Sequence, residues 1–254
     1  MQKHRKISWP RILAEGAAIV VSILLAFGIE AWWEGRQDRL HERVILSTLL
    51  IEFQGMNASL EWDKKFNEAI LDSIRQLTES SVGPENLLSD EDIDHLLADL
   101  GWNQDLSAWT APELSSTISN GDLALVSNLK LRQLLGTWPV KLGFVRGNMQ
   151  RDLEFFANRQ MPLFADLASL AQISNAGSST PGHPGRLYDG GRKIELGETV
   201  SHASLLSNRK FQNMLVERDQ AITDILSLGF EDMQENLDQA ISLLEQELVL
   251  AGSD

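Results

Sequence analysis

Catalysis and metal binding need side chains that attack, ligate or move protons, and this sequence offers few of them at useful spacing. None of the 254 residues is cysteine, which removes thiolate nucleophiles, thiolate zinc sites, iron–sulfur clusters and disulfides together. The five histidines stand at 4, 41, 95, 183 and 202, without ligand spacing between any two. Asp94-His95 falls in a short polar stretch and is read as solvated surface. His183, Tyr188, Asp189 and Arg192 gather in the one glycine- and proline-rich segment, where a loop-borne site would sit, but one histidine without a second ligand beside it is poor metal chemistry. A hydrolytic centre would need His183 or His202 brought against carboxylates in a cleft. The GxxxxGK[ST], HExxH, GxSxG and GxGxxG motifs are absent, as is any alternation of strand and helix patterns to hold them. No catalytic, cofactor-binding or metal-ligating residue is assigned, no cofactor is expected, and the chain is read as having no enzymatic activity.

Two further carboxylates, Glu15 and Glu30, bracket an uncharged run from Gly16 to Ile29. Intramembrane carboxylates can relay protons, but neither of these lies at the middle of the run, and each is near a tryptophan that marks its end. The surrounding pattern describes an anchor. Lys3, Arg5, Lys6 and Arg11 form a basic leader, Ile12 to Ile29 is apolar apart from Glu15, and Trp9 on one side with Trp32 and Trp33 on the other set the rims. From Trp9 to Trp32 a helix spans about 34 Å, which suits a hydrocarbon core of roughly 30 Å with its interfaces. The small residues of Ala26-Phe27-Gly28 offer a rival reading as a cleaved signal peptide. Against it, the aromatic pair runs straight into a charged helical continuation without a polar breaker. Four basic residues precede the span and Arg36, Arg39 and Arg43 come after it, a difference that favours a cytoplasmic N-terminus and an exported C-terminal part.

The net charge of −14 is unevenly placed. Residues 1–43 hold seven Lys/Arg against five Asp/Glu, and the remainder holds 15 against 31. A domain that acidic repels phosphate backbones, so nucleic acid is not an expected partner.

The stretch AEGAAIVVSILLAFGIEAWWEGRQDRLHERVILSTLLIEF, Ala14 to Phe53, is similar to the opening of a bacterial family of unknown function. Its members start with a short basic leader and a GEI(V)xVxxGILxAxxxxxWxExR span. The likeness covers about residues 10–60. A second patch, STISNGDLALVSNLKLRQLLGTW from Ser116 to Trp138, resembles the family's SGxLxLIxNxxLRxxLxxW/Y turn. This chain departs in having Ala14-Glu15-Gly16 for Gly-Glu-Ile and paired tryptophans for one. The resemblance implies a single-pass membrane protein with a helical domain, and it supplies no catalytic residues.

Helical spacing dominates the rest. Ile45, Leu49, Phe53, Met56, Leu60, Phe66, Ile70, Ile74 and Leu77 predict that the anchor continues as one long helix to about Thr78. Ser89-Asp90-Glu91-Asp92 predicts a capped helix ending at Leu100, with acids that suit the helix dipole. Another helix is predicted from Pro112 to Asn120-Gly121, with Asp122 and Asn128 as caps for the elements after it. A seam through Leu131, Leu135, Trp138, Leu142, Val145, Met149, Leu153, Phe156, Gln160, Leu163, Leu167 and Leu170 predicts a bundle helix broken or kinked at Pro139 and Pro162. Residues 174–197 are expected to be a flexible loop, and 207–250 to return to helix along Leu215, Ile222, Leu226, Phe230, Met233, Leu237, Ile241, Leu244 and Leu248.

The fold class expected is all-α, one N-terminal transmembrane helix continuing into a soluble bundle of long antiparallel helices. The divisions are 1–11 leader, 12–33 span and 34–254 soluble domain. The expected partners are the lipid bilayer through the N-terminal helix and a protein, or a second copy, through the long helices; the expected place is the bacterial inner membrane with the C-terminal domain periplasmic. Three functions are expected, in this order: an interaction scaffold or accessory subunit, an exported ligand-binding or sensor bundle with a pocket near Trp138, Phe155 and Phe156, and a hydrolase.

Overall fold

The computed structural model describes residues 9–82, 88–101, 106–177, 194–195 and 197–250, with side chains from residue 19 onward apart from Val82. Among these residues the protein is all-α. The first helix, α1 (Trp9–Val82), runs unbroken for 74 residues, about 110 Å. No proline occurs between Pro10, which is tolerated in a first turn, and Pro84. Every apolar residue predicted for its core stripe is buried. From Leu49 the buried positions continue as Phe53, Met56, Leu60, Asp63, Asn67, Ile70, Ile74 and Leu77, steps of three and four that keep one seam facing its neighbours.

Two of those seam positions are polar and are satisfied. Trp109 Nε1 donates to Asp63 Oδ2 at 2.6 Å, and Asn67 Nδ2 donates to the Asp63 carbonyl. Stacking of Trp109 on Phe230 at 5.3 Å between centroids fixes the indole that reaches Asp63.

Two long partners pack on α1. Helix α4 (Leu129–Phe155) runs in the same direction, because Glu42 accepts from the Ser127 N–H at its start and Phe53 meets Trp138 a third of the way along. Helix α8 (Glu231–Leu250) runs the opposite way: Gln234 bonds Asn57, while Glu247 bonds Asn128 at the start of α4. Helix α7 (Arg209–Asp224) leads into α8 through a π-helical turn, Ile225–Phe230. Short helices close the ends: α2 (Asp90–Asp99), α3 (Pro112–Ser119), α5 (Met161–Leu167) and α6 (Leu170–Ala176).

Several expectations are corrected. Pro139 neither breaks nor ends α4; it stands on the exposed side, so its missing N–H falls opposite the packed seam, which stays regular through Met149. Beyond Phe155 the chain widens into a π-helical turn, Phe156–Gln160, that turns Gln160 inward to donate to the Leu100 carbonyl at 2.6 Å. Pro162 then sits in the first turn of α5, where no N–H is needed. The seam does not carry on to Leu170, since Ala168 is extended and Ser169 begins α6 as its cap. The loop expected at 174–197 starts later: Ser174 to Ala176 belong to α6, held by the Ser169 cap and by packing on α2. Asp122 is not a cap, because Gly121, at φ 82°, takes the left-handed position and Asp122 begins the 3₁₀ turn after it. Ser89 and Asn128 do cap α2 and α4 as predicted.

Candidate functional site

The only side-chain cluster among the described residues that resembles catalytic machinery lies at the end of the bundle far from the N-terminus. His202 donates from Nδ1 to Asp94 Oδ1 at 2.5 Å, and its Nε2 accepts the Ser169 backbone N–H at 2.9 Å. A backbone N–H can only donate, so this partner fixes the neutral ring with its proton on Nδ1. Gln172 completes the group, donating to Asp94 Oδ2 and pairing both ways with the Val200 backbone. The pairing is histidine on carboxylate, as a general base would have it. Here, however, both ring nitrogens are taken and the ring is 1% exposed. What the geometry accomplishes is a latch: the chain returning at 200–202 is fastened to α2 and α6, with Ser201 on Asp90 as an outer fastening.

This corrects the reading of Asp94-His95 as solvated surface. Asp94 is buried, and His95 donates from Nδ1 to the Gly177 carbonyl at 2.9 Å. It also answers the requirement set for a hydrolase: His202 does meet a carboxylate, but in the interior rather than in a cleft. His183, Tyr188, Asp189 and Arg192 lie outside the described residues, as does His4, while His41 is exposed on α1. No group of three or more metal-ligating side chains is found among the described residues.

A second polar pair is deeper. Arg218 of α7 approaches Asp152 of α4 at 3.1 Å, both almost fully buried, with the Phe156 ring 5.7 Å from the guanidinium. Burial lowers the Arg218 pKa and the Asp152 charge opposes that, so the pair joins two long helices in the core. Among the described residues, the three side chains expected around a pocket, Trp138, Phe155 and Phe156, have separate surroundings. Trp138 and Phe156 are core residues, and Phe155 borders a separate shallow hollow rimmed by the Arg159–Glu217 ion pair.

Comparison with protein-family models, characterised proteins and solved structures gives no match to this chain. Function has to be argued from its surfaces.

Three surfaces stand out. The first is α1 itself: no described side chain from Ile19 to Leu40 is buried, and Trp32 and Trp33, 59% and 55% exposed, have ring centroids 6.5 Å apart. The Trp9 side chain is not among those described. Among the described residues no helix is long and apolar enough to cross a membrane. The described apolar run, Ile19 to Ile29, reaches about 16 Å before Glu30, half of a hydrocarbon core. The second surface is a cavity of about 600 Å³ where α1 leaves the bundle, bordered by Arg36, Arg39 and Arg43 together with Glu247. The third is a groove of about 350 Å³ between α4 and α8, which exposes Val140, Phe144 and Leu228. Sequence reasoning missed this groove because it followed the strongest stripe on α4. Val140 and Phe144 form a weaker one on the opposite face.

Proposed function

We propose that the protein is a membrane-tethered helical interaction module, a scaffold or accessory subunit, with residues 12–33 inserted in the bacterial inner membrane and the bundle held on its outer face. The observation that carries this reading is the uncovered apolar arm of α1. A helix that exposes Ile19, Val20, Val21, Ile23, Leu24, Leu25, Phe27 and Ile29 together needs a partner surface, and among the described residues none of these side chains is buried. Lipid is the partner its flanks fit: a basic leader on one side, then Trp32 and Trp33, then arginines at headgroup depth. The resemblance of residues 10–60 to a single-pass family supports the same assignment. Cleavage after Gly28 is disfavoured because α1 continues without a break from there into the core at Ile45. The bundle gives the tether its purpose, through long helices that carry unpartnered faces.

Protease treatment of right-side-out spheroplasts expressing the chain with a C-terminal tag tests both halves of the reading. Resistance to carbonate extraction with loss of the tag to external protease is the expected result. Release by carbonate overturns the anchor, and a membrane-bound but protected tag reverses the orientation.

A further inference from the structure

We propose that the groove between α4 and α8 is the interface of a two-fold homodimer, in which α4 of each copy lies on α8 of the other. The inference rests on the membrane-tethered reading for its geometry and on three features of the groove for its occupant.

The first feature is uncovered apolar surface. Val140, Phe144 and Leu228 are 77%, 55% and 54% exposed, and they meet around one groove instead of being scattered. The second is glycine on the exposed side of α4 next to the groove, at Gly143 and Gly147. A helix-interior glycine is about 1 kcal/mol less favourable than alanine. A Cβ added at Gly143 or Gly147 would meet nothing within 4 Å, so the bundle itself has no use for either. Bare backbone there lets a second helix come close.

The third feature chooses the occupant. In a chain of net charge −14, α4 carries five Lys/Arg against two Asp/Glu, and α8 carries six Asp/Glu and no Lys/Arg. The groove has one basic wall, with Lys141, and one acidic wall, with Asp232. Two anchors in the same bilayer restrict the dimer axis to the membrane normal, which is the direction of the bundle. Rotation by 180° about that axis exchanges the places of two side-by-side helices, so basic α4 faces acidic α8 at the same height. Lys141 then lies opposite Asp232 of the partner subunit, around a centre of Phe144 against Leu228 of the partner subunit. Confinement to the bilayer raises the effective concentration, which offsets the general acidity that opposes pairing.

The absence of cysteine makes the test clean. Full-length Phe144→Cys and Leu228→Cys chains, with different tags, are co-expressed and oxidised in the carbonate-resistant membrane fraction. The expected product is a disulfide-linked heterodimer carrying both tags, with none formed when Val216→Cys replaces either variant. Lys141→Glu is expected to lower the yield about two- to five-fold, and Lys141→Glu with Asp232→Lys to restore it. A membrane-bound chain that gives no mixed product, only Phe144→Cys homodimers, or adducts with another protein overturns the dimer while leaving the anchor intact. Chain released by carbonate overturns the anchor, and mixed product in that soluble fraction still supports the dimer.

Discussion

Phe27 and Phe53 stand on one unbroken helix, 26 positions apart, and live in different environments. Phe53 is wholly buried against Trp138, ring centroids 4.5 Å apart. Phe27 is 63% exposed. Up to Leu40 no described side chain of α1 is buried; from Ile45 a regular seam begins. The local conformation is the same throughout, so helix propensity does not separate the two stretches. Tertiary cover does. The second half also sends polar side chains across to its neighbours: Glu52 to α3, Asp63 to Trp109, Ser73 to Asp99. The first half, up to Leu40, instead leaves its described apolar side chains exposed.

The contrast is broken most forcefully in the packed half. Phe53→Ala is expected to destabilise the bundle by about 3–5 kcal/mol, since it opens a cavity against Trp138 that the surrounding helices cannot fill. Chemical denaturation of the intact chain in detergent micelles, followed by near-ultraviolet circular dichroism, measures it. A loss below about 1 kcal/mol would mean that the core at Phe53 is looser than its burial implies.

Trp109→Phe comes next. It keeps most of the ring stacked on Phe230 and removes the donor to a buried carboxylate, for an expected loss of about 1–3 kcal/mol by the same measurement. If Asp63→Asn combined with Trp109→Phe is no worse than Trp109→Phe alone, the cost arises from the carboxylate left behind.

Glu52 sharpens the comparison through pH. Its two oxygens accept the Glu113 and Leu114 N–H groups at 2.8 and 3.0 Å, so a side chain of α1 caps α3, whose own cap residue, Ala111, cannot. Partial burial raises its pKa above the ordinary 4.5, and the two N–H groups oppose the rise without cancelling it. A raised carboxyl pKa means that the folded chain holds more proton than the unfolded one between 4.5 and the raised value, so this group's contribution to stability falls as pH rises through that window. Glu52→Gln is expected to lose about 1 kcal/mol for the cap at neutral pH. The gap between wild type and variant should widen as pH is lowered towards 4.5. A gap that narrows on acidification would show that the N–H bonds outweigh burial.

Helical periodicity was enough to place α1, α2, α3, α4 and the C-terminal helices, because each keeps an apolar stripe long enough to define a period. The caps at Ser89 and Asn128 were equally legible, for they depend on a few adjacent residues. What escaped depends on distance in sequence. Asp94 and His202 are 108 positions apart, and nothing local to Asp94-His95 announces that a strand of chain returns to cover it. Asp63 and Asn67 are core positions of the same seam, and a stripe defined by apolar residues alone does not mark them. The π-helical turns at Phe156–Gln160 and Ile225–Phe230 shift the helical phase by tertiary demand, and a single periodic template reads through them. The α4–α8 groove was invisible for a different reason: its apolar residues come from two helices, and neither contributes enough alone to outweigh its own buried face.

The smallest effect on the bundle is the most informative about the arm. Phe27→Ala removes as much side chain as Phe53→Ala from the same helix, yet it is expected to change unfolding by no more than about 0.5 kcal/mol, since Phe27 is largely exposed where Phe53 is wholly buried. Its consequence should appear elsewhere, as weaker retention in the membrane fraction, and a charge in the same stretch, Leu24→Arg, should deepen that defect because an arginine near the middle of a span opposes insertion by about 2.5–3.5 kcal/mol. The two readouts have to separate for the proposed division of α1 to stand. If Phe27→Ala instead lowers bundle stability by as much as Phe53→Ala while leaving membrane retention unchanged, the arm folds back on protein, and the surface it covers becomes the thing to find.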